Sequence, residues 1–234
     1  MKSTTDEIRQ RFDNDVERFA NLDTGQISTI DPKYSLELLT EAAKILVPNA
    51  ENLLDIGCGA GNYTLTMLQK IPNLNCTLVD LSQPMLNKAF ERISTKTNGK
   101  VQIIQCDIRN VILSENHFDI ILAGAVLHHL RENSDWENVF KKLYNFLKPK
   151  GCLMISDLIT QDNNSLTEFF QHRYAEYLEK AGGKEFCQNI IKCIEKEDTP
   201  RSITYQIELM KKAGFKDIEI LHKNICYASW GGIK

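Results

Sequence analysis

Residues 52–63 read NLLDIGCGAGNY, an apolar run closing on Asp55 and Ile56 and followed at once by Gly57, Gly59 and Gly61. Glycine lets a chain turn tightly, or lie against a ligand that a Cβ atom would push away. The three alternate glycines therefore mark a place of close backbone approach. The following segment, YTLTMLQKI, has helical spacing. A strand that feeds a glycine-rich turn and then a helix is the element on which open α/β sheets bind nucleotides, because the helix N-terminus presents N–H groups with no partner of their own.

Outward from this stretch the same alternation repeats. Apolar runs bounded by turn residues recur at CTLVDL, VQIIQCD, FDIILAGAV and GCLMISDLI. Near-continuous apolar runs of this length are expected of strands buried on both faces. Helical spacing separates them: SLELLTEAAKIL precedes the first strand, SQPMLNKAFERI follows the second and NSDWENVFKKLYNFL follows the fourth. Parallel neighbours need a crossover, and a helix supplies it while covering a face of the sheet. The pattern predicts a doubly wound α/β fold. Ser82 stands as N-cap before Pro84, and Asn133 or Ser134 before the fourth-strand helix.

Past Asp157 the alternation stops. Residues 161–200 read as a helical insertion of two helices broken at Gly182-Gly183 and closed by Pro200. The chain resumes with the helix ITYQIELMKKAGF, whose Gly214 suits a C-terminal stop. Two β-like runs, DIEILHK and NICYASW, then predict an antiparallel hairpin at the sheet edge. The expected organisation is one domain over 1–234: an N-terminal cover at 1–34, a binding core at 35–160, the insertion at 161–200, and the closing helix and hairpin at 201–234.

Composition narrows the partners. Of the 234 residues 42% are hydrophobic and 25% charged, which suits a globular chain. A net charge of -3 argues against a broad footprint for nucleic acid or an anionic membrane. No run approaches the length of a membrane span, and the opening residues MKSTTDEIRQ lack a secretion-type apolar segment. The seven cysteines form no C-x-x-C pair, so neither a metal nor a disulfide framework is expected, and a cytoplasmic setting follows.

The motifs resemble those of the class I S-adenosylmethionine-dependent methyltransferases. LLDIGCGAGNY is similar to their first motif, LVDLSQPML to the second, QCDIRN to the third and FDIILAGAVLHHL to the fourth, with LKPKGCLMISD and KKAGF as closing segments. The dinucleotide fingerprint G-x-G-x-x-G would need glycine at position 62, where Asn62 stands. RFDNDVERFA resembles the opening of many members, with Phe19 and Ala20 in place of a usual Tyr-Asp pair. The resemblance implies a mostly parallel, seven-stranded Rossmann-like sheet and S-adenosyl-L-methionine as cofactor. It assigns Asp55 and the backbone of Gly57 and Gly59 to the methionine part of the cofactor, and Asp80 to both ribose hydroxyls. Leu81, Met85 and Ile108 would pack on adenine, Asp107 would meet its exocyclic amine, and Ala123 and Gly124 would line the space near sulfur.

The implied activity is methyl transfer to a small-molecule acceptor. His128 is the candidate general base, since it follows the fourth strand at the carboxyl edge of the sheet and imidazole titrates near neutrality. On the insertion, His172, Arg173 and Tyr177 are the candidate acceptor contacts, with Phe169, Arg173 and Tyr177 on one helical face. Other readings remain. One is a tRNA-modifying enzyme or a carboxy-S-adenosylmethionine synthase, although that synthase has an arginine before its closing AGF that ITYQIELMKKAGF lacks. Another is a non-catalytic nucleotide-binding scaffold.

Overall fold

The computed structural model describes residues 2–234. Its centre is the glycine turn. β1 (Asn52–Ile56) runs through Gly57–Gly61 into α5 (Asn62–Lys70), then β2 (Asn75–Asp80), α6 (Gln83–Ser94) and β3 (Val101–Gln105). β4 (Phe118–Gly124) leads to a short 3-10 turn at Leu127–His129, α7 (Asn133–Phe146) and β5 (Leu147–Leu158). One seven-stranded sheet results, in the order β3-β2-β1-β4-β5, completed by β7 (Tyr227–Ile233) and β6 (Lys216–Asn224). β1 pairs in parallel with both β2 and β4, so strand order reverses beside β1 and a crevice opens beyond the carboxyl ends of these strands.

The sheet is buried on both faces. On one side α4 (Pro32–Leu46), α5 and α6 supply Leu39, Met67, Leu86 and Ile93; on the other Trp136, Phe140 and Leu143 of α7 meet Leu209 and Met210 of α9 (Ile203–Ala213). α6 starts as expected: Ser82 Oγ accepts from the Met85 N–H at 3.2 Å, and Pro84 lies in its first turn. α7 does not, since Glu132 is its N-cap, in a capping box with Asp135, and Asn133 and Ser134 fall inside the helix. The closing hairpin is antiparallel as expected. Its second strand, β7, is nevertheless interior, paired to β5, and β6 takes the edge. Gly231 permits this packing, because a Cβ there would stand 2.5 Å from the Met154 sulfur.

The insertion forms α8 (Asn164–Glu197), interrupted at Gly183, whose φ of 82° is left-handed. The N-terminal segment, read from sequence only as a cover, folds into α1 (Thr5–Asp13), α2 (Val16–Ala20) and α3 (Leu22–Gly25). These two outlying parts hold each other. Arg11 Nη2 meets Glu197 Oε2 at 2.6 Å, Tyr174 donates its hydroxyl to the Ser28 carbonyl at 2.7 Å, and the Ser3 amide donates to the Lys196 carbonyl at 2.9 Å. Ile30, Leu158, Tyr174, Leu178, Cys187 and Cys226 make a small separate core beneath them. Among the described residues no helix is long and apolar enough to cross a membrane, and all seven cysteines are free.

Candidate active site

The crevice is roofed by the N-terminal helices and α8, which leaves a cavity of about 230 Å³. Its floor is the glycine turn. Gly57, Gly59 and Gly61 have φ of 65°, 49° and 83°, a region costly for side-chain-bearing residues. A Cβ at Gly59 would meet nothing within 4 Å, so this backbone is bared to the cavity, whereas one at Gly61 would press within 2.7 Å of Ile93 on α6. Gly59 thus serves the cavity, and Gly61 serves helix packing.

Asp80 ends β2 beside this turn. Its two oxygens accept N–H groups from Gly59 and Ser82, each at 2.8 Å. Burial raises its pKa, against the lowering pull of those bonds. A half-buried carboxylate with lone pairs to spare, on the wall of a cavity, favours hydroxyl donors or a cation. Leu81 and Met85 line the same cavity. Next to it a narrower space of about 60 Å³ is walled by Ile8, Asp80, Leu81, Asp107, Ile108 and Leu130. This is a slot between apolar side chains with a carboxylate at its rim, the donor set that suits an adenine. Bare backbone, a half-buried acid and an apolar slot in sequence fit an adenosyl group carrying an amino-acid tail.

Several expected residues lie elsewhere. Asp55 is sealed beneath the turn, where Thr64 donates its hydroxyl at 2.7 Å; burial pushes its carboxyl up to about 7. It supports the turn from below and does not reach the cavity. Ala123 is buried within β4, and its successors Gly124 and Ala125 line the cavity instead. Asp107 lines the slot, but its carboxylate is gripped by Arg109, with Nε at 3.0 Å and Nη2 at 2.5 Å. Burial works to raise the Asp107 pKa, and Arg109 outweighs it, so the carboxyl is held low.

His128 does face the cavity, but its ring is already engaged from behind. Its Nδ1 meets Asp157, and Asp157 Oδ2 also accepts the N–H groups of Leu127 at 2.7 Å and His128 at 3.1 Å. Burial alone would depress the imidazole; the carboxylates of Asp157 and Asp198 overcome it and raise the pKa to about 9. A ring that holds its proton this firmly is a poor general base near neutral pH.

The insertion residues are placed differently from the expectation. The His172 and Arg173 side chains are 77% and 55% exposed and pair with Glu176 on their own helix, away from the cavity. Tyr177 bonds the Ile27 and Thr29 carbonyls at 3.3 and 3.0 Å and so ties down the N-terminal segment. The buried stripe of α8 runs through Tyr174 and Leu178, which turns Phe169 and Arg173 outward. The side chains that line the cavity include Phe12, Tyr63, His129, Tyr174, Asp198 and Tyr227. Of these, His129 is marked in the sequence by its place beside His128, and Tyr174 by the aromatic stretch of the insertion. Asp198 follows α8 in a charged run, and nothing local announces that it meets His129 at 3.0 Å, nearly seventy residues away.

Comparison with known proteins agrees with this geometry. Residues 53–151 match the family model described as a methyltransferase domain. The carboxy-S-adenosyl-L-methionine synthase of Nautilia profundicola is 25% identical over 219 residues, covering 92% of each chain. The malonyl-[acyl-carrier protein] O-methyltransferase of Halalkalibacterium halodurans is 32% identical over 139 residues, 58% of this chain and 49% of that protein. Among solved structures, the 1,6-didemethyltoxoflavin-N1-methyltransferase of Burkholderia thailandensis, with its substrate and S-adenosylhomocysteine bound, superposes with a TM-score of 0.66. It is 15% identical, over 100% of this chain and 92% of that one, a likeness of fold. With the motifs in order along the strands that build the crevice, these likenesses support a class I S-adenosylmethionine-dependent methyltransferase.

Proposed function

We propose that the chain transfers a methyl group from S-adenosyl-L-methionine to a small acceptor held under the N-terminal helices and α8. The observation that carries this reading is the continuity of the cavity. The same cavity is lined by the glycine turn and Asp80 and by the aromatic and ionic side chains of Tyr63, His128, His129, Tyr174 and Tyr227. Bound there, the cofactor supplies an electrophilic methyl on a sulfonium.

The residues divide the remaining work. Gly57 and Gly59 let the methionine part lie against the backbone, Asp80 accepts the ribose hydroxyls, and Leu81, Met85 and Ile108 enclose the adenine. Asp107, braced by Arg109, offers its outer lone pairs to the adenine amine. An in-line displacement needs alignment and exclusion of water more than a dedicated base. Phe12, Tyr174 and Tyr227 exclude water, and Tyr63 lines the same cavity. Burial pushes the Tyr63 phenol up to about 12, so it stays neutral. Seven unpaired cysteines support a reducing, cytoplasmic setting.

The test is incubation with the cofactor and panels of phenols, acids, amines and thiols, read by mass spectrometry for acceptors gaining one methyl. A second reading, conversion of the cofactor itself, is favoured by similarity across 92% of the Nautilia synthase. The same spectra decide between them: a cofactor that has lost a methyl proton and gained a carboxyl group from a decarboxylating member of the acid panel, with no methylated acceptor, would replace the first reading by the second.

A further inference from the structure

On the cavity wall facing the proposed methyl site, one nitrogen each from His128 and His129 and a carboxylate oxygen from Asp198 lie within 4.8 Å of one another. We propose that His128 Nε2, His129 Nδ1 and Asp198 form a site for a divalent first-row transition ion. The proposal rests on the methyl-transfer reading only for its use, since an acceptor with adjacent oxygen donors is the class such an ion would hold.

Three observations point to a ligand. First, the His128 ring is fixed from behind: Asp157 occupies Nδ1 and also accepts the backbone amides of Leu127, His128 and Leu158. A carboxylate behind an imidazole, leaving Nε2 aimed forward, is the arrangement that orients metal-binding histidines, and an ion bound there displaces the proton that Nε2 otherwise holds. Second, His129 Nδ1 and Asp198 Oδ1 are both buried and lack a well-formed hydrogen bond, although they stand 3.0 Å apart. Buried polar atoms left this way are rare unless a further group completes them. Third, the spacing suits bonds of about 2.0–2.2 Å from nitrogen and carboxylate to a common centre. Two ligand separations are already short, 3.0 Å from Asp198 to His129 and 3.8 Å from Asp198 to His128.

The neighbouring charge does not block the site. Arg11 is turned to Glu197, which takes Nε at 2.9 Å and Nη2 at 2.6 Å, so its charge is already paired. Two nitrogens and one carboxylate select zinc, iron, cobalt or manganese over magnesium and calcium, which prefer all-oxygen sets. Three protein ligands also leave coordination positions open towards the cavity.

The experiment titrates the metal-free full-length protein with Co²⁺ and Zn²⁺ by visible absorption and calorimetry, with neither cofactor nor acceptor present. One equivalent bound, with ligand-field bands for cobalt and no saturable magnesium binding, is expected. H129Q and D198N should each weaken zinc by at least tenfold, while the exposed control H172Q should not. Zinc should also protect His128 and His129 of the unmodified chain against diethyl pyrocarbonate, mapped by mass spectrometry, which keeps the test decisive where a variant fails to fold. Absence of saturable binding, equal binding by H129Q and D198N, or unprotected histidines would overturn the proposal. Because no turnover is read, any of these outcomes would leave methyl transfer standing, and failure of methyl transfer would leave the metal site standing.

Discussion

Asp55 is buried and Asp80 half-buried near the ends of adjacent parallel strands, and desolvation raises the pKa of each. They serve different ends: Asp80 faces the cavity, and Asp55 is closed off beneath Thr64. For Asp55 the linkage is direct. Its unfolded carboxyl titrates at about 3.9 and its folded one at about 7. Between those values the folded state keeps a proton that the unfolded state has lost. Stability therefore falls as pH rises from about 4 to 7, and Asp55 adds no further slope above that. Asp55→Asn should flatten this slope, because an amide keeps an acceptor for Thr64 and does not titrate. Urea melts at pH 5 and pH 7.5 check it, and an unchanged slope in the variant would show that Asp55 ionises freely. The contrast between Gly59 and Gly61 is equally local. Either alanine costs about 1–2 kcal/mol for its left-handed backbone. Gly59→Ala puts its methyl into open cavity and should weaken the cofactor more than the fold. Gly61→Ala meets Ile93 and should lower the melting temperature more than affinity; thermal melts beside calorimetry separate the two.

At the scale of elements, the strands and their helices were legible because each carries its own signal: apolar runs for buried strands, helical spacing and Ser82 for α6. Ser82→Ala should cost about 0.5–2 kcal/mol, the loss of an N-cap, measured by denaturant unfolding. α8 was legible as a helix but not in its phase. Phe169, Arg173 and Tyr177 do fall along one side, yet the packed stripe is that of Tyr174 and Leu178, and which side is buried depends on a partner distant in sequence. The same holds for β7, whose place inside the sheet follows from pairing with β5. The ionic wall was illegible for this reason too: His128 was visible as a histidine, whereas Asp157 and Asp198, which fix its proton, arrive from β5 and the end of α8.

For the molecule as a whole, the cavity exists because two parts outside the shared core close over it and hold each other. Removing one of their ties should loosen both. Glu197→Ala leaves the Arg11 guanidinium without its bidentate partner, and should raise amide exchange through α1 and at the end of α8 while sparing β1, β2 and β4. Hydrogen–deuterium exchange with mass spectrometry reads this directly, and protection unchanged in α1 would mean that the cover is held by other contacts. The binding core needs no such help, since its crevice is fixed by the reversal of strand order beside β1.

The central claim is that the adenosyl group of S-adenosylmethionine lies over the turn leaving β1 with its ribose on Asp80. Calorimetry with S-adenosylhomocysteine on the wild type and Asp80→Ala, with NAD as the competing nucleotide, tests it most directly. Binding of the former and not the latter is expected, weakened in the variant by about 1.5–3 kcal/mol, the scale of a hydrogen bond to a charged group. Equal affinity in the variant, or preference for NAD, would contradict it.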